Sequence, residues 1–295
     1  MVRWTLELSL IKGVICVQLK LIFHRLLHER LSFISFIYLL ILLIIAILAP
    51  VIAPYDPEVQ NLQAILVPPS GSHWFGTDEL GRDVFSRIIM GSRVAFEAGM
   101  IAILIPLFVG VPLGIISGYL GGIIDDIFMR IVDAILSFPA ILLALGITGA
   151  LGANLWNAMI AIGIVFTPQF ARLARGQTLQ VRREPYVEAA KISGAGPVWI
   201  MFKHIITNIS SPIIVQASFS FSFAILVEAS LSFLGLGAQA PQISWGGMLQ
   251  QAYNMIFVSP WLMIFPGMAI LISVLAGNFF GDGLRIAVDP KIKRT

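Results

Sequence analysis

Long stretches without any charged residue restrict most strongly what this chain can fold into. Each is at least as long as the roughly 20 residues that an α-helix needs to cross about 30 Å of hydrocarbon. A soluble core of this size would need a charged surface, yet only 12% of the 295 residues are charged and 58% are hydrophobic. The chain is therefore predicted to be an all-α integral membrane protein. The stretches comprise residues 31–55, 98–124, 134–171, 205–227 and 229–281.

Two of these stretches are too long for one helix. Residues 134–171 contain the turn-forming sequence "GALGAN" at 149–154, and the last stretch begins with the loop-like "GLGAQAPQISWGG" at 235–247. The pattern predicts six transmembrane helices, at about 31–53, 96–120, 132–150, 155–173, 207–231 and 260–281.

The basic residues indicate which way the helices run. An even number of crossings puts both termini on one side. All but three of the 19 Lys and Arg residues then fall in segments on that side, and the exceptions are Arg82, Arg87 and Arg93 in the first loop on the other side. Because Lys and Arg collect on the cytoplasmic face, both termini are predicted to be cytoplasmic.

The amino-terminal segment, residues 1–30, is predicted to remain on the protein. Basic residues interrupt it and no small-residue cleavage site follows an apolar core, so it differs from a secretory signal. Its apolar positions from Leu6 to Val17 recur at helical spacing, which predicts an amphipathic segment on the membrane surface. The single cysteine, Cys16, excludes an intrachain disulfide.

A polar stretch, "EPYVEAAKISGAGPVWIMFKHIITN" at 184–208, lies between the fourth and fifth predicted spans. Pro185 suits a first helical turn and Gly194 a helix end, and Gly196–Pro197 then repeats the start signal. The stretch predicts a short helix, a tight turn and a second helix that leads into the fifth span. Small residues such as Ala189 and Ala190 favour close contact with another protein, although an amphipathic connector on lipid headgroups is the alternative.

Several segments are similar to one family. "EAAKISG" resembles the cytoplasmic loop signature of binding-protein-dependent ABC importer permeases. "HWFGTDELGRDVFSRIIMGSR" (73–93), "LSFLGLG" followed by "SWGGML" (231–249), and "FPGMAIL" through "GDGLR" (265–285) resemble the dipeptide/oligopeptide/nickel permeases. The resemblance runs from about residue 31 to the carboxyl end, and it points to the permease with the longer amino-terminal extension.

The resemblance implies a type I ABC importer permease fold in the cytoplasmic membrane of a prokaryote. It divides the chain into a cytoplasmic amphipathic segment (1–30), a first helix with its external loop (31–93), a permease core (94–283) that contains the coupling loop (174–206), and a cytoplasmic tail (284–295).

The same resemblance implies import of di- or oligopeptides, with nickel or a metal–chelator complex as the alternative. The expected partners are a homologous second permease in a heterodimer, one or two ABC ATPase subunits, an extracytoplasmic substrate-binding protein and the lipid bilayer. The 185–193 helix is expected to dock in a cleft of the ATPase. The expected coupling residues are Tyr186, Glu188, Ala189, Ala190, Gly194 and His204. The family typically has Leu–Pro where this chain has Ile206 and Thr207.

Motifs of catalysis are absent from the sequence. It has no G-x-x-x-x-G-K-[ST] phosphate loop, no G-x-S-x-G elbow and no H-E-x-x-H helix. We therefore expect no catalytic, cofactor or metal site, and expect ATP and Mg²⁺ to be used by a partner subunit. Nucleic-acid binding is not expected, because no basic block alternates with aromatics. A self-contained secondary transporter or channel is the alternative of another class, and would need charged coupling sites near the midplane.

Charged residues in the first external loop allow two interpretations. They form either a self-paired solvated face or a landing surface for a binding protein, where charges set register and association rate. The residues are Asp78, Glu79, Arg82, Asp83 and Arg87.

Two acids lie within or beside predicted spans. Glu228 is predicted to have a structural hydrogen-bonding role at the outer end of the fifth span, with pathway lining as the alternative. Asp133, near the inner end of the third span, is treated in the same way. Glycines such as Gly110, Gly114 and Gly118 predict close helix packing, which is also compatible with bending.

Overall fold

The computed structural model describes residues 29–288 of the chain, and this part is helical, without a β-strand. The predicted amphipathic segment from Leu6 to Val17 lies outside the described residues, as does most of the predicted tail. The helices are α1 (Arg30–Ile52), α2 (Val84–Ile105), α3 (Val111–Leu120), α4 (Gly122–Leu136), α5 (Ala140–Leu151), α6 (Leu155–Val181), α7 (Pro185–Ile192), α8 (Pro197–Ile200), α9 (Ile206–Phe233), α10 (Trp245–Ala252) and α11 (Trp261–Val288).

Two pairs of helices are continuous through a π-helical turn. Pro106–Gly110 joins α2 to α3, and Met201–Ile205 joins α8 to α9. Each pair makes one element of 37 residues, Val84–Leu120 and Pro197–Phe233. Together with α1, α6 and α11, these are the five elements in the described part that are long and apolar enough to cross a membrane unaided.

The remaining crossing is made by α4 and α5 together. The end of α3 lies beside Arg182 near the end of α6, because the Arg182 guanidinium donates to the Tyr119 carbonyl at 2.8 Å. The start of α6 is at the other end of the bundle, where Leu155 packs with Val94. The chain between α3 and α6 must therefore cross, which gives six crossings as the sequence predicts.

This third crossing is not the straight helix predicted at 132–150, and that boundary is wrong. Helices α4 and α5 meet at 92°. The break falls on residues 137–139, because Pro139 disfavours helical geometry at Phe138 and stands at the N-cap of α5. The hairpin predicted after α5 is confirmed, with Gly152 at φ +97° before the Asn154 cap of α6.

The bundle has two ends, named here by their short helices. The α7 end carries α7 and the ends of α3 and α6. The α10 end carries residues 53–83 and α10. The Ser32 hydroxyl donates to the Phe279 carbonyl at 3.1 Å, so the start of α1 lies beside the last third of α11. Residues 29 and 288 thus both lie at the α7 end, while the cytoplasmic side of the termini stays a prediction.

Close packing of α3 on α6 confirms the prediction for three glycines. A Cβ atom on Gly110 would lie 2.6 Å from the Thr167 carbonyl oxygen, and one on Gly114 would lie 2.2 Å from that of Ala171. A Cβ atom on Gly118 would lie 2.9 Å from the Arg175 carbonyl oxygen. The two helices therefore touch backbone to backbone over two turns, at a distance that only glycine permits.

Candidate functional site

The polar segment at the α7 end has the local structure that its sequence predicts. Pro185 lies in the first turn of α7, where a backbone N–H has no acceptor within the helix, so its absence costs no hydrogen bond. The helix ends at Ile192, and Gly194 follows with a φ of +83° that suits a residue without a Cβ, while the Ala195 amide donates to the Ala190 carbonyl. Gly196 then caps α8 and Pro197 begins it.

Helix α7 is attached to the bundle through one face. Val187 is fully buried, and the Lys191 Nζ lies 5.5 Å from the ring centroid of Tyr119 at the end of α3. The Tyr186 ring lies 5.7 Å from the ring of His204, on the π turn that precedes α9. Burial is the larger cause that raises the pKa of Tyr186 above 10, and nearby Glu184 adds to it, so this phenol is neutral at physiological pH.

His204 lies between the rings of Tyr186 and Trp199 and contacts both. Its ring packs against Trp199 at 5.0 Å, and its Nε2 is buried without a hydrogen-bond partner in the described part of the chain. Of the six predicted coupling residues, Tyr186 and His204 thus contact each other through their rings, and His204 also contacts Trp199.

The opposite face of α7 is open. Glu188 and Ala189 are exposed, and Ala190 and Gly194 line a shallow groove together with Trp199. The most exposed apolar side chain here is Ile192, of which 89% is accessible. Small side chains around a projecting isoleucine make a surface that suits contact with another protein.

An irregular turn stands near the position where the resemblance expects Leu–Pro. The π turn Met201–Ile205 directly precedes Ile206 and Thr207. The Thr207 hydroxyl donates to the Lys203 carbonyl at 3.0 Å, and the Asn208 amide donates to that of His204 at 2.6 Å. Side-chain donors thus bond to two carbonyls of this π turn. The α8–α9 element therefore contains an irregular turn at this place, although residue 207 is threonine and not proline.

Sequence reasoning missed an ion pair at the α7 end. The Arg175 guanidinium donates to both carboxylate oxygens of Asp125 at 2.6 Å, and the Ser117 hydroxyl also donates to this carboxylate. The pair joins α4 to α6 across 50 positions of sequence, so no local pattern connects the two residues. It fixes the first turn of α4 against the glycine-packed pair of α3 and α6.

Asp133 is also paired, but it faces outward. Its Oδ1 lies 2.5 Å from an Nη atom of Arg172, and the two side chains are 64% and 57% exposed. Sequence reasoning identified Asp133 and missed Arg172.

The charges predicted in the external loop are mostly satisfied inside the chain. The Asp78 carboxylate accepts from the Arg82 Nε at 2.7 Å and lies 3.5 Å from that of Arg87. Both guanidinium groups donate to the side-chain oxygen of Gln251 on α10. Asp78 and Arg87 are buried, and so this network joins the loop to α10.

Asp83 forms a second buried centre in this loop. One carboxylate oxygen caps α2 by accepting from the Ser86 amide at 2.8 Å and from its hydroxyl at 2.7 Å. The other lies 2.9 Å from the His73 Nδ1. Of the five predicted residues, only Glu79 makes no ion pair within residues 29–288. A landing role for these five residues stays a prediction.

Glu228 lies at the α10 end of α9 and is only 1% exposed. Its carboxyl group accepts from the Ser232 hydroxyl at 2.6 Å, which in turn accepts from the Ala238 amide at 3.0 Å. At the next residue of α9, Gly246 of α10 lies so close to Ala229 that a Cβ atom on Gly246 would be 2.1 Å from the Ala229 carbonyl oxygen. These contacts connect α9 to the loop that leads to α10, and the structural role of Glu228 stays a prediction.

Comparisons with known proteins agree with one another. A family model described as "binding-protein-dependent transport system inner membrane component" matches residues 110–294. A second, described as the N-terminal transmembrane domain of oligopeptide transport permease C, matches residues 18–69.

Similar proteins cover most of the chain. The probable D,D-dipeptide transport system permease protein of Escherichia coli strain K12 is 47% identical over 82% of each chain. The dipeptide transport system permease protein of Alkalihalophilus pseudofirmus is 45% identical over 92% of this chain and 89% of the relative. The glutathione transport system permease protein of Pectobacterium atrosepticum is 44% identical over 83% of this chain and 82% of the relative.

Proposed function

Because the chain belongs to the family of binding-protein-dependent transport system inner membrane components, we propose that it is a permease subunit of an ATP-driven importer for di- and oligopeptides. The family and the membrane-crossing helices make it a multi-pass protein of the inner membrane. The observation that carries the proposal is the exposed surface of α7, which lies between two long helices, α6 and α8–α9, and presents Ile192 outward at 89% exposure.

The coupling step uses the rigidity of the α7 end. Val187 and the Lys191–Tyr119 contact hold α7 on the bundle, and the guanidinium of Arg182 bonds α6 to the end of α3. When ATP closes a pair of ATPase subunits, a push on α7 would move these helices as one body. The permease pair would then change from open at the α7 end to open at the α10 end, where a loaded binding protein releases its substrate.

The substrate proposal rests on the names of the relatives. They are named for D,D-dipeptides, dipeptides and glutathione, which are small molecules with amide bonds and free carboxylates. Nickel or a metal–chelator complex is the alternative substrate for the same machinery. The partners we propose are a homologous second permease, ATPase subunits that bind ATP and Mg²⁺, and a substrate-binding protein at the α10 end.

Docking of α7 can be tested with Ile192→Glu in the assembled transporter. The side chain is almost fully exposed, so the fold should tolerate the change, while a carboxylate in an apolar contact should weaken association by tenfold or more. The measurement is the amount of ATPase subunit that co-purifies with the permease. Val59→Glu is the matched control, because Val59 is 62% exposed and lies at the other end.

Equal recovery of ATPase with Ile192→Glu and with Val59→Glu would exclude α7 as the docking element. Gly194→Arg is a less specific test, because its φ of +83° strains any side chain regardless of docking. A secondary transporter would behave differently: the purified chain alone, in liposomes, would move peptide down an ion gradient without ATPase subunits.

A further inference from the structure

Helix α4 has three faces of different chemistry. Asp125 and Val132 are buried against the bundle. Ile123, Ile127 and Ile131 are exposed on an apolar face, each more than half accessible. The third face is exposed and polar, and its members recur at the spacing of one helical stripe. They are Asp126, Arg130, Asp133 and Ser137.

Helix α6 continues this polar surface. Arg172 reaches Asp133 from α6, and Gln169 and Gly176 are exposed on either side of it. A Cβ atom on Gly176 would have no neighbour within 4 Å, so the surface is open there. In contrast, the exposed residues nearer the α10 end of α6 are apolar, among them Ile160 and Ile164.

This surface cannot face hydrocarbon. A charged side chain in the bilayer costs about 2.5–3.5 kcal/mol, and such residues normally face the bundle interior or a water-filled cavity. Arg172 lies nine residues before the end of α6 at Val181, or about 14 Å along the helix axis at 1.5 Å per residue. Because α6 has 27 residues and is about 40 Å long, it exceeds the roughly 30 Å of hydrocarbon, so the polar surface lies where the bundle leaves the hydrocarbon at the α7 end, with the apolar face of α4 beside it.

We propose that Asp133 and Arg172 line the translocation cavity near the α7 end and act as a charge-selective site for the side chains of the passing peptide. The proposal rests on the function proposed above. Each group pairs with the other when the cavity is empty. A peptide lysine competes for Asp133 and a peptide glutamate competes for Arg172, as charged rings select ions in pores.

Accessibility tests the location. Single cysteines at Asp133 and at Ile131 are made in a Cys16→Ser parent and studied in the complex with its second permease and ATPase subunits. An anionic, membrane-impermeant methanethiosulfonate is applied in inside-out vesicles, and labelling of this chain is read by mass. Ile131 is the matched control, two residues away on the apolar face.

We expect the Asp133→Cys chain to react rapidly without nucleotide and at least tenfold more slowly after trapping with ATP and vanadate. The Ile131→Cys chain should react slowly in both states. Equal, rapid labelling of Asp133→Cys in the two states would place it on the cytoplasmic surface. Absence of labelling in both would place it against lipid or a partner. Either result overturns the proposal.

Charge selectivity is tested with Asp133→Asn and Arg172→Gln. Uptake is compared for two tripeptides that differ only in a central Lys or Glu. Asp133→Asn should lower the Lys/Glu uptake ratio and Arg172→Gln should raise it, each by about two- to fivefold, the range that exposed charge pairs support. Shifts of the same sign, or none, contradict the proposal. A parent that takes up neither peptide refutes the proposed peptide import itself, while the labelling result still reports on the cavity.

Discussion

The connecting segments at the two ends of the bundle, residues 53–83 and helix α7, use their polar residues in opposite ways. At the α10 end, Asp78, Asp83 and Arg87 are buried and bond within the chain. At the α7 end, α7 leaves Glu188 and Ala189 in solvent, and Ile192 is 89% exposed. The loop at the α10 end thus pairs most of its charges inside the chain, whereas α7 leaves charged and apolar side chains in solvent.

This difference teaches that charge density alone does not locate a contact surface. A loop of some 30 residues has little apolar area of its own, so buried ion pairs and caps must specify its shape. A short helix anchored by Val187 between two long helices already has its position fixed. Its outward residues are therefore free to be selected for contact with a partner.

Gly114→Val should have the largest effect on the α7 end, because it separates α3 from α6, the two packed helices on which α7 rests. A Cβ atom there lies 2.2 Å from the Ala171 carbonyl oxygen and 2.8 Å from the Ala174 Cβ. Separating the helices should cost more than the roughly 1–3 kcal/mol of an ordinary overpacked core. We expect almost no monodisperse protein by fluorescence-detected size-exclusion chromatography. Gly146→Val, which meets nothing within 4 Å, should leave the yield unchanged, and equal yields would show that α3 and α6 are not in backbone contact.

Asp83→Ala tests whether the α10 end depends on its buried charges. Loss of the α2 cap costs about 0.5–2 kcal/mol. The polar groups of Ser86 and His73 left without a partner add about 1–3 kcal/mol. The expected result is a lowered thermal midpoint of the purified protein in detergent. Glu58→Ala, an exposed acid in the same loop, is the control. An unchanged midpoint for Asp83→Ala would mean that this carboxylate serves a partner instead of the fold.

The sequence predicts the long elements of the fold well, because uncharged length and Pro–Gly punctuation are local signals. Six crossings, the turns at Gly194 and Gly152, and the α8–α9 connection follow from them. The apolar run at 134–171 does not reveal the break at Pro139, because its hydrophobicity is the same whether or not a single proline bends the helix.

The candidate sites are less accessible to sequence reasoning. Asp125 and Arg175 are 50 residues apart, and Asp133 and Arg172 are 39 apart, so only tertiary structure brings them together. Likewise, the sequence of 73–93 shows mixed charges but not which of them are buried. It cannot distinguish the buried Asp83 from the half-buried Glu79. Resemblance supplies the docking role of α7, whereas the structure supplies the exposed Ile192 through which that role can be tested.

Glu79→Gln gives the smallest effect and refines the comparison at the α10 end. Glu79 is half-buried and makes no ion pair within the described part of the chain, so its charge can act on an approaching binding protein. Charges at the rim of an interface change association rate more than affinity. We therefore expect less than about a twofold change in the stimulation of ATP hydrolysis by the binding protein, in the range of an exposed charge. The change should vanish in about 0.5 M salt, because screening lengths then fall well below 8 Å.

Asp126→Asn, an exposed acid on α4 near the other end, should have no such salt-dependent effect. A loss of tenfold or more that persists in high salt would instead make Glu79 part of a desolvated contact, and the α10 end would then resemble the α7 end in presenting a dedicated docking side chain.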